Sequence, residues 1–506
     1  MAVDYLVIIA YLLGLLGVGW WGMRRARSKS DFLVAGRRLG PLLYSGTMAA
    51  VVLGGASTVG GVRLGYKFGL SGAWMVIAIG LGLLVLSIFF SARIVRLKVY
   101  TVAEMLTLRY GEAASVISGL VMWTYTLMLA VTSTIAYATV FDALFGLPRW
   151  ASIMLGGLIV VAYSTLGGMW SITLTDMVQF VVKTLGVLLL LLPIAVIKAG
   201  GFSGMEAKLP SGYFSATSIG GQTIITFVLV YAFGMLIGQD IWQRVFTART
   251  DKVAAYGGTV AGVYCLVYAV AGALIGSATK VLYPHLANAD DAFATVVKLA
   301  LPVGISGLVF AAALSAMMST ASGALIACAT VATNDIWKRV RPLLGRGTAR
   351  DPEERDLEQR DSEERDELRG NRIAILVLGL AVIGIACMLS DVVSALTIAY
   401  NLLVGGLLVP ILGALVWRRG NLQGAMASIV AGGVTVIVMM AVKGVLANEP
   451  IYYGLGISLV AYIVVSLATR PTDAAVLDAW RRRLAGEQPE GAAETAETAE
   501  PVSSGT

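Results

Sequence analysis

Gly54-Gly55-Ala56-Ser57-Thr58-Val59-Gly60-Gly61 lies inside an apolar run near residues 41–66. Glycine weakens a helix interior, so this cluster marks a place where a membrane-length helix breaks. Five spans later, Gly234 and Gly238 interrupt the run near 221–242, just ahead of Gln239-Asp240. Paired interruptions at corresponding positions point to an inverted-repeat transporter with its binding site at broken helices. Packing kinks also break helices, but the repeated offset favours the transporter reading.

Composition agrees with a membrane setting. Of 506 residues, 57% are hydrophobic and 14% charged, and the mean hydropathy is +0.80. A soluble domain could not hide so much apolar surface, so the bilayer is the expected solvent. Runs long enough to cross a core about 30 Å thick recur from end to end. They predict about thirteen helices, near 3–23, 41–66, 70–92, 114–143, 150–168, 172–197, 221–242, 254–278, 304–332, 372–389, 392–417, 424–443 and 453–469. The first run lacks a basic leader and a small-residue cleavage site, which makes it a span rather than a signal peptide.

The net charge of +7 follows from basic loops rather than a nucleic-acid partner. Arg24, Arg25, Arg27, Lys29, Arg37 and Arg38 follow the first span, and Arg93, Arg96, Lys98 and Arg109 the third. Arg244, Arg249 and Lys252 follow the seventh, and Arg418 and Arg419 the eleventh. These are alternate ends of an odd-numbered series, which predicts the N-terminus outside and the C-terminus inside. Cys265, Cys328 and Cys387 lie within apolar runs without metal or redox spacing. The single histidine, His285, lies in a loop, and no paired carboxylates or nucleophile–base set occurs in the spans. An enzyme is therefore not expected.

Ala-Ala-Ala-Leu-Ser-Ala-Met-Met-Ser-Thr-Ala-Ser, residues 311–322, puts hydroxyls inside an apolar span. On a helix Ala316, Ser319 and Thr320 share one face, beside a row of Ser315, Ser319 and Ser322. Uncharged oxygens suit a weakly held monovalent cation better than Zn²⁺ or Ca²⁺. Small-residue helix packing would produce the same stretch, and both readings stay open here.

Residues 338–371 hold Asp351-Pro352-Glu353-Glu354 and then alternating acids and arginines, as in an N-capped, salt-bridged cytoplasmic helix. The tail 470–506 ends in Glu/Ala/Thr repeats and is expected to be disordered.

Three motifs resemble the sodium:solute symporter family over roughly residues 1–470. Lys98-Val99-Tyr100-Thr101-Val102-Ala103-Glu104-Met105-Leu106-Thr107-Leu108-Arg109-Tyr110-Gly111 is similar to its first cytoplasmic loop. Tyr163-Ser164-Thr165-Leu166-Gly167-Gly168-Met169-Trp170, continuing to Thr175-Asp176-Met177-Val178-Gln179, resembles its signature. Leu301-Pro302, Gly307-Leu308 and Ala316-Met317-Met318-Ser319-Thr320 resemble its cation-binding helix and the loop before it.

The resemblance implies an all-α, leucine-transporter-like fold. An extra span (1–23) precedes five-helix repeats over 41–197 and 221–417, and two spans follow over 424–469. It also implies a main sodium site of the Ala50, Leu53 and Ala316 carbonyls and the Ser319 and Thr320 hydroxyls. A second sodium position would use Asp176 and Ser322, although Gly323 stands where the family places another serine. Independently, Asp176 near the start of its span complements a helix N-terminus.

Solute contacts are expected at the two breaks. Ser57 occupies a substrate-contact position of sugar-transporting members, and Tyr231 and Phe233 resemble contact and gating residues. Gln239 lies beyond the second break, and Asp240 has Arg244 four residues on as a structural partner. Arg63 offers a bidentate clamp for a carboxylate, or alternatively snorkels to headgroups. The reading is a sodium-coupled plasma-membrane symporter importing a small polar solute, an amino acid or organic acid before a sugar. Na⁺ is the coupling ion, and no obligatory protein partner is inferred. The rivals are a proton-coupled transporter using Asp176, and a nutrient sensor signalling through 338–371.

Overall fold

In a computed structural model, residues 2–339, 357–389, 392–445 and 447–487 are described. Among them the regular elements are all helical, with one isolated bridge between Leu39 and Ala248. Among the described residues, ten helices are long and apolar enough to cross a membrane, or eleven if a pair bent by 44° counts as one span.

The chain runs from α1 (Ala2–Met23) to a broken pair, α2 (Pro41–Val52) and α3 (Gly55–Phe68). The apolar stretch begun by α3 runs on to Arg96 and supplies a third span, after which come α4 (Glu112–Ile135) and α5 (Arg149–Lys183). The second break separates α6 (Gly221–Ile237) from α7 (Gln239–Val245). Next are α8 (Asp251–Leu282), α9 (Ile305–Val331), α10 (Leu357–Met388) and α11 (Val392–Val416). Finally α12 (Leu422–Lys443), α13 (Glu449–Ala468) and α14 (Ala474–Ala485) close the chain.

Both sequence breaks are real. Helix α2 stops at Leu53 and α3 restarts after an extended Gly54, while Gly238 is extended between α6 and α7. A third break lies within α5, where Gly168 takes φ +53°. It separates the predicted fifth and sixth spans.

Helix α9 is the centre of the molecule. Its most apolar window is wholly buried, against 22% for α1. Small side chains along α9 let α4, α5, α2 and α3 all pack on it. Helix α8 covers α2 and α3 from the other side, and α12 and α13 pair with each other beside α11.

One expectation is refined and another corrected. The charged segment is helical from Leu357 onward, and it runs without a break into the apolar part of α10. Its proposed cap at Asp351 lies outside the described residues. The tail is not disordered from 470 onward, because α14 folds at 474–485 with Asp473 capping it. An amphipathic stretch escapes a composition-based reading: Trp480 is buried and donates to the Ala414 carbonyl at 3.0 Å, and Arg96 reaches the Leu484 carbonyl at 3.2 Å.

Candidate cation and solute site

The end of α2 leaves its last carbonyls without helical partners, and these orphans carry the negative end of the helix dipole. Helix α9 faces them. Ser319 Oγ donates to the Ala50 carbonyl at 2.8 Å, and Thr320 Oγ1 to the Val51 carbonyl at 2.7 Å. Both hydroxyls also reach the Ala316 carbonyl, at 3.1 and 3.3 Å. The approach is close enough that a Cβ on Gly54 would come within 2.4 Å of Thr320 Oγ1. Ala50, Leu53, Ala316, Ser319 and Thr320 are thus brought together.

A sixth group stands among them. Lys183, at the end of α5, points its ammonium at the Ala49, Ala50 and Leu53 carbonyls, at 3.3, 3.2 and 3.2 Å. An ammonium has three donors, and here it meets three acceptors. The Tyr268 ring lies 5.8 Å from the same nitrogen. The local signal for Lys183 was present in the sequence, since a lone cation deep in an apolar span is functional by default. Its partners were invisible, lying 130–134 residues away.

Asp176 lies two turns before Lys183 on the same helix face, fully buried. Its carboxylate takes a hydrogen bond from Thr47 at 2.5 Å and an ion pair from Arg244 at 3.0 Å. Arg244 is also fully buried and is not the loop cation its position implied. It reaches only the backbone carbonyl of Asp240, at 3.4 Å, while the Asp240 carboxylate accepts from Tyr125 at 3.0 Å. The guanidinium lies over Gly323, where a Cβ would stand 2.9 Å from Nη2. Ser322 does not turn toward Asp176 by a hydrogen bond, since its hydroxyl donates to the Ser319 carbonyl at 3.1 Å.

Beside the first break lies a cavity of about 50 Å³, lined among others by Gly54, Ser57, Ser133, Tyr231, Thr320 and Tyr400. Tyr231 packs edge-on to Tyr400, which packs edge-on to Tyr125, each at 5.4 Å.

Three proposed solute contacts lie elsewhere. Phe233 is not among the lining residues. Gln239 is buried and joins the backbone N–H of Val102 and the carbonyl of Tyr100, at 2.8 and 3.0 Å, stapling α7 to the 98–111 motif. Arg63 is not among the lining residues and pairs instead with Asp290 at 3.0 Å, both side chains partly exposed.

The profile of the Sodium:solute symporter family matches residues 32–432. The sodium/pantothenate symporter of Escherichia coli (strain K12) is 26% identical, covering 91% of this chain and 95% of that one. A sodium/proline symporter 2 of Staphylococcus saprophyticus is 24% identical, covering 86% and 85%. In the fold, the chain is similar to a substrate-bound, outward-open Na⁺-coupled sialic acid symporter. That match has a TM-score of 0.79 at 18% identity, covering 93% of this chain and 98% of the other.

Proposed function

Because this chain belongs to the sodium:solute symporter family, we propose that it imports one small polar organic solute by alternating access, driven by sodium as its relatives' names describe. Members are integral plasma-membrane transporters, not enzymes, and this chain is one of them. The observation that carries the reading is a shared break. The end of α2 presents carbonyls to α9 on one side, and the start of α3 lines the small cavity on the other. A cation that fixes α2 against α9 thereby shapes the solute cavity, which is what coupling requires. At 100 mV each elementary charge contributes about 2.3 kcal/mol to accumulation.

The proposed architecture has thirteen spans, with repeats over 41–197 and 221–417. Gly168 divides a 50-residue apolar stretch that is far longer than one crossing needs. The broken pairs α2–α3 and α6–α7 each make one span in this reading, and the basic loops put the N-terminus outside. For the solute, the cavity offers hydroxyls and tyrosines but no guanidinium, Arg63 being tied to Asp290. That lining suits a small amino acid, held by hydroxyls and by carbonyls freed at the breaks. Uptake by proteoliposomes of amino acids, carboxylates, sugars and vitamins, in sodium and in choline, tests the reading. Failure of every solute to accumulate would refute it.

A further inference from the structure

The basic residues that follow α1 do not simply fan out into water. Arg24, Arg25, Arg27 and Arg38 converge with Asp31 and Trp170 around a cavity of about 390 Å³. Four guanidiniums against one carboxylate leave its lining strongly positive. The carboxylate is already engaged: Arg38 pairs with it, and the Trp170 indole and the Arg27 backbone N–H each donate to it at 3.4 Å. Among the described residues, no ion pair or side-chain hydrogen bond engages Arg24, Arg25 or Arg27.

The guanidiniums are nevertheless held in place, by aromatic faces. Arg24 lies over Trp20 at 4.2 Å, and Arg25 over Trp21 at 4.7 Å and Trp170 at 5.4 Å. Arg38 lies over Trp170 at 5.8 Å. Stacking fixes each fork while leaving its edge N–H donors for a ligand. The chain turns sharply to bring Arg38 back onto this wall, with φ of 51°, 61° and 55° at Ala35, Gly36 and Arg37. A Cβ on Gly36 would stand 2.6 Å from both Asp31 Oδ1 and Arg38 Nε. Trp20 and Trp21 are themselves half-exposed on α1, a helix whose exposed Leu6, Ile9 and Leu13 mark it as lipid-facing. Tryptophans in such a position sit at the headgroup level of a bilayer.

We propose that this pocket binds the phosphate of an anionic phospholipid of the inner leaflet, through the Arg24, Arg25 and Arg27 guanidiniums. A guanidinium fork matches two phosphate oxygens at once, and the inner leaflet supplies the negative headgroups. A free phosphate offers the same oxygens, but it leaves unexplained why the arginines are mounted on lipid-exposed tryptophans. A lipid seated here braces separate parts of the fold. Its walls come from the end of α1, from the link to α2, and from Trp170, two residues past the Gly168 break in α5. In the same link, Arg37 reaches the Val99 and Phe246 carbonyls at 2.9 and 3.5 Å, so the brace extends to the end of α7. The inference needs the basic loops to face the inside and is independent of the solute and of the sodium site.

The test uses purified full-length protein in nonionic detergent micelles, doped with phosphatidylglycerol or phosphatidylcholine, or supplied with inorganic phosphate. Melting temperature is titrated for wild type, for Arg24→Gln/Arg25→Gln, and for Arg418→Gln/Arg482→Gln. The last pair removes two exposed charges that do not line the pocket. Phosphatidylglycerol should raise the wild-type Tm, and phosphatidylcholine or inorganic phosphate at the same concentration should not. Each arginine near an anionic surface strengthens binding about fivefold, so the pocket variant should need about thirtyfold more phosphatidylglycerol and the control pair less than about twofold more. Should the pocket variant fail to fold, Arg25→Lys replaces it, keeping the charge without the fork, and should need about threefold more. A wild type indifferent to phosphatidylglycerol, or one that responds equally to phosphatidylcholine or to inorganic phosphate, would overturn the proposal. So would equal losses in the two double variants, or a wild-type titration in the pocket variant.

Discussion

Asp176→Asn isolates the value of one buried ion pair. Asp176 and Arg244 are both fully inaccessible, and their charged atoms lie 3.0 Å apart. At an effective dielectric of 20, that separation corresponds to an attraction of about 5.5 kcal/mol. The substitution keeps the shape, and an amide oxygen at the Oδ2 position still accepts from Thr47 and Arg244, but the guanidinium loses its counter-charge. An uncompensated buried charge typically costs about 3–5 kcal/mol. The remaining carbonyl contact places the expected loss near the lower end, about 3 kcal/mol, or roughly a hundredfold in the folded-to-unfolded ratio. Adding Arg244→Met removes the orphaned charge and puts apolar volume over Gly323, so the double variant should recover most of that loss. Chemical unfolding in detergent, run as a double-mutant cycle, measures both. A single variant within about 1 kcal/mol of wild type, or a double variant whose losses simply add, would refute the reasoning.

Ser319→Ala and Thr320→Ala should each lower apparent sodium affinity about tenfold, because each removes a hydroxyl from the α2–α9 rim. Sodium-titrated uptake checks this, and unchanged curves in both would remove them from the cation site. Gln239→Ala unpairs a backbone donor and acceptor and should cost about 1–3 kcal/mol of stability, with the solute affinity of the folded protein unchanged. Thermal melts beside uptake KM separate the two effects, and a raised KM at unchanged stability would return Gln239 to the solute site. Trp480→Ala should destabilise the protein by about 3–5 kcal/mol, as for other buried tryptophans. A silent substitution in the same melts would mean that α14 contributes nothing to the fold.

The family resemblance alone put forward Ala50 and Leu53, whereas sequence by itself determined the membrane setting, the two breaks, the helical class and the shared face of Ala316, Ser319 and Thr320. Each of these is local: hydropathy over twenty residues, glycine in a helix interior, or three- and four-residue spacing on one face. Three- and four-residue spacing gave the 311–322 face but not its partner, which the structure shows to be the end of α2, with Ser319 on the Ala50 carbonyl. Other local inferences stopped short. Arg244 read as a loop cation because it follows an apolar run, yet it folds inward to Asp176, 68 residues away. Gln239 read as a binding residue because it follows a break, yet it is spent on the Val102 and Tyr100 backbone. Arg63 found Asp290, and the tail found Ala414, through contacts no periodicity records. Only the tertiary structure decided that Lys183 stands among the α2 carbonyls. The physical reason is that lipid is as apolar as leucine, so hydropathy does not say which helix faces which, and buried charges are placed by partners from other helices.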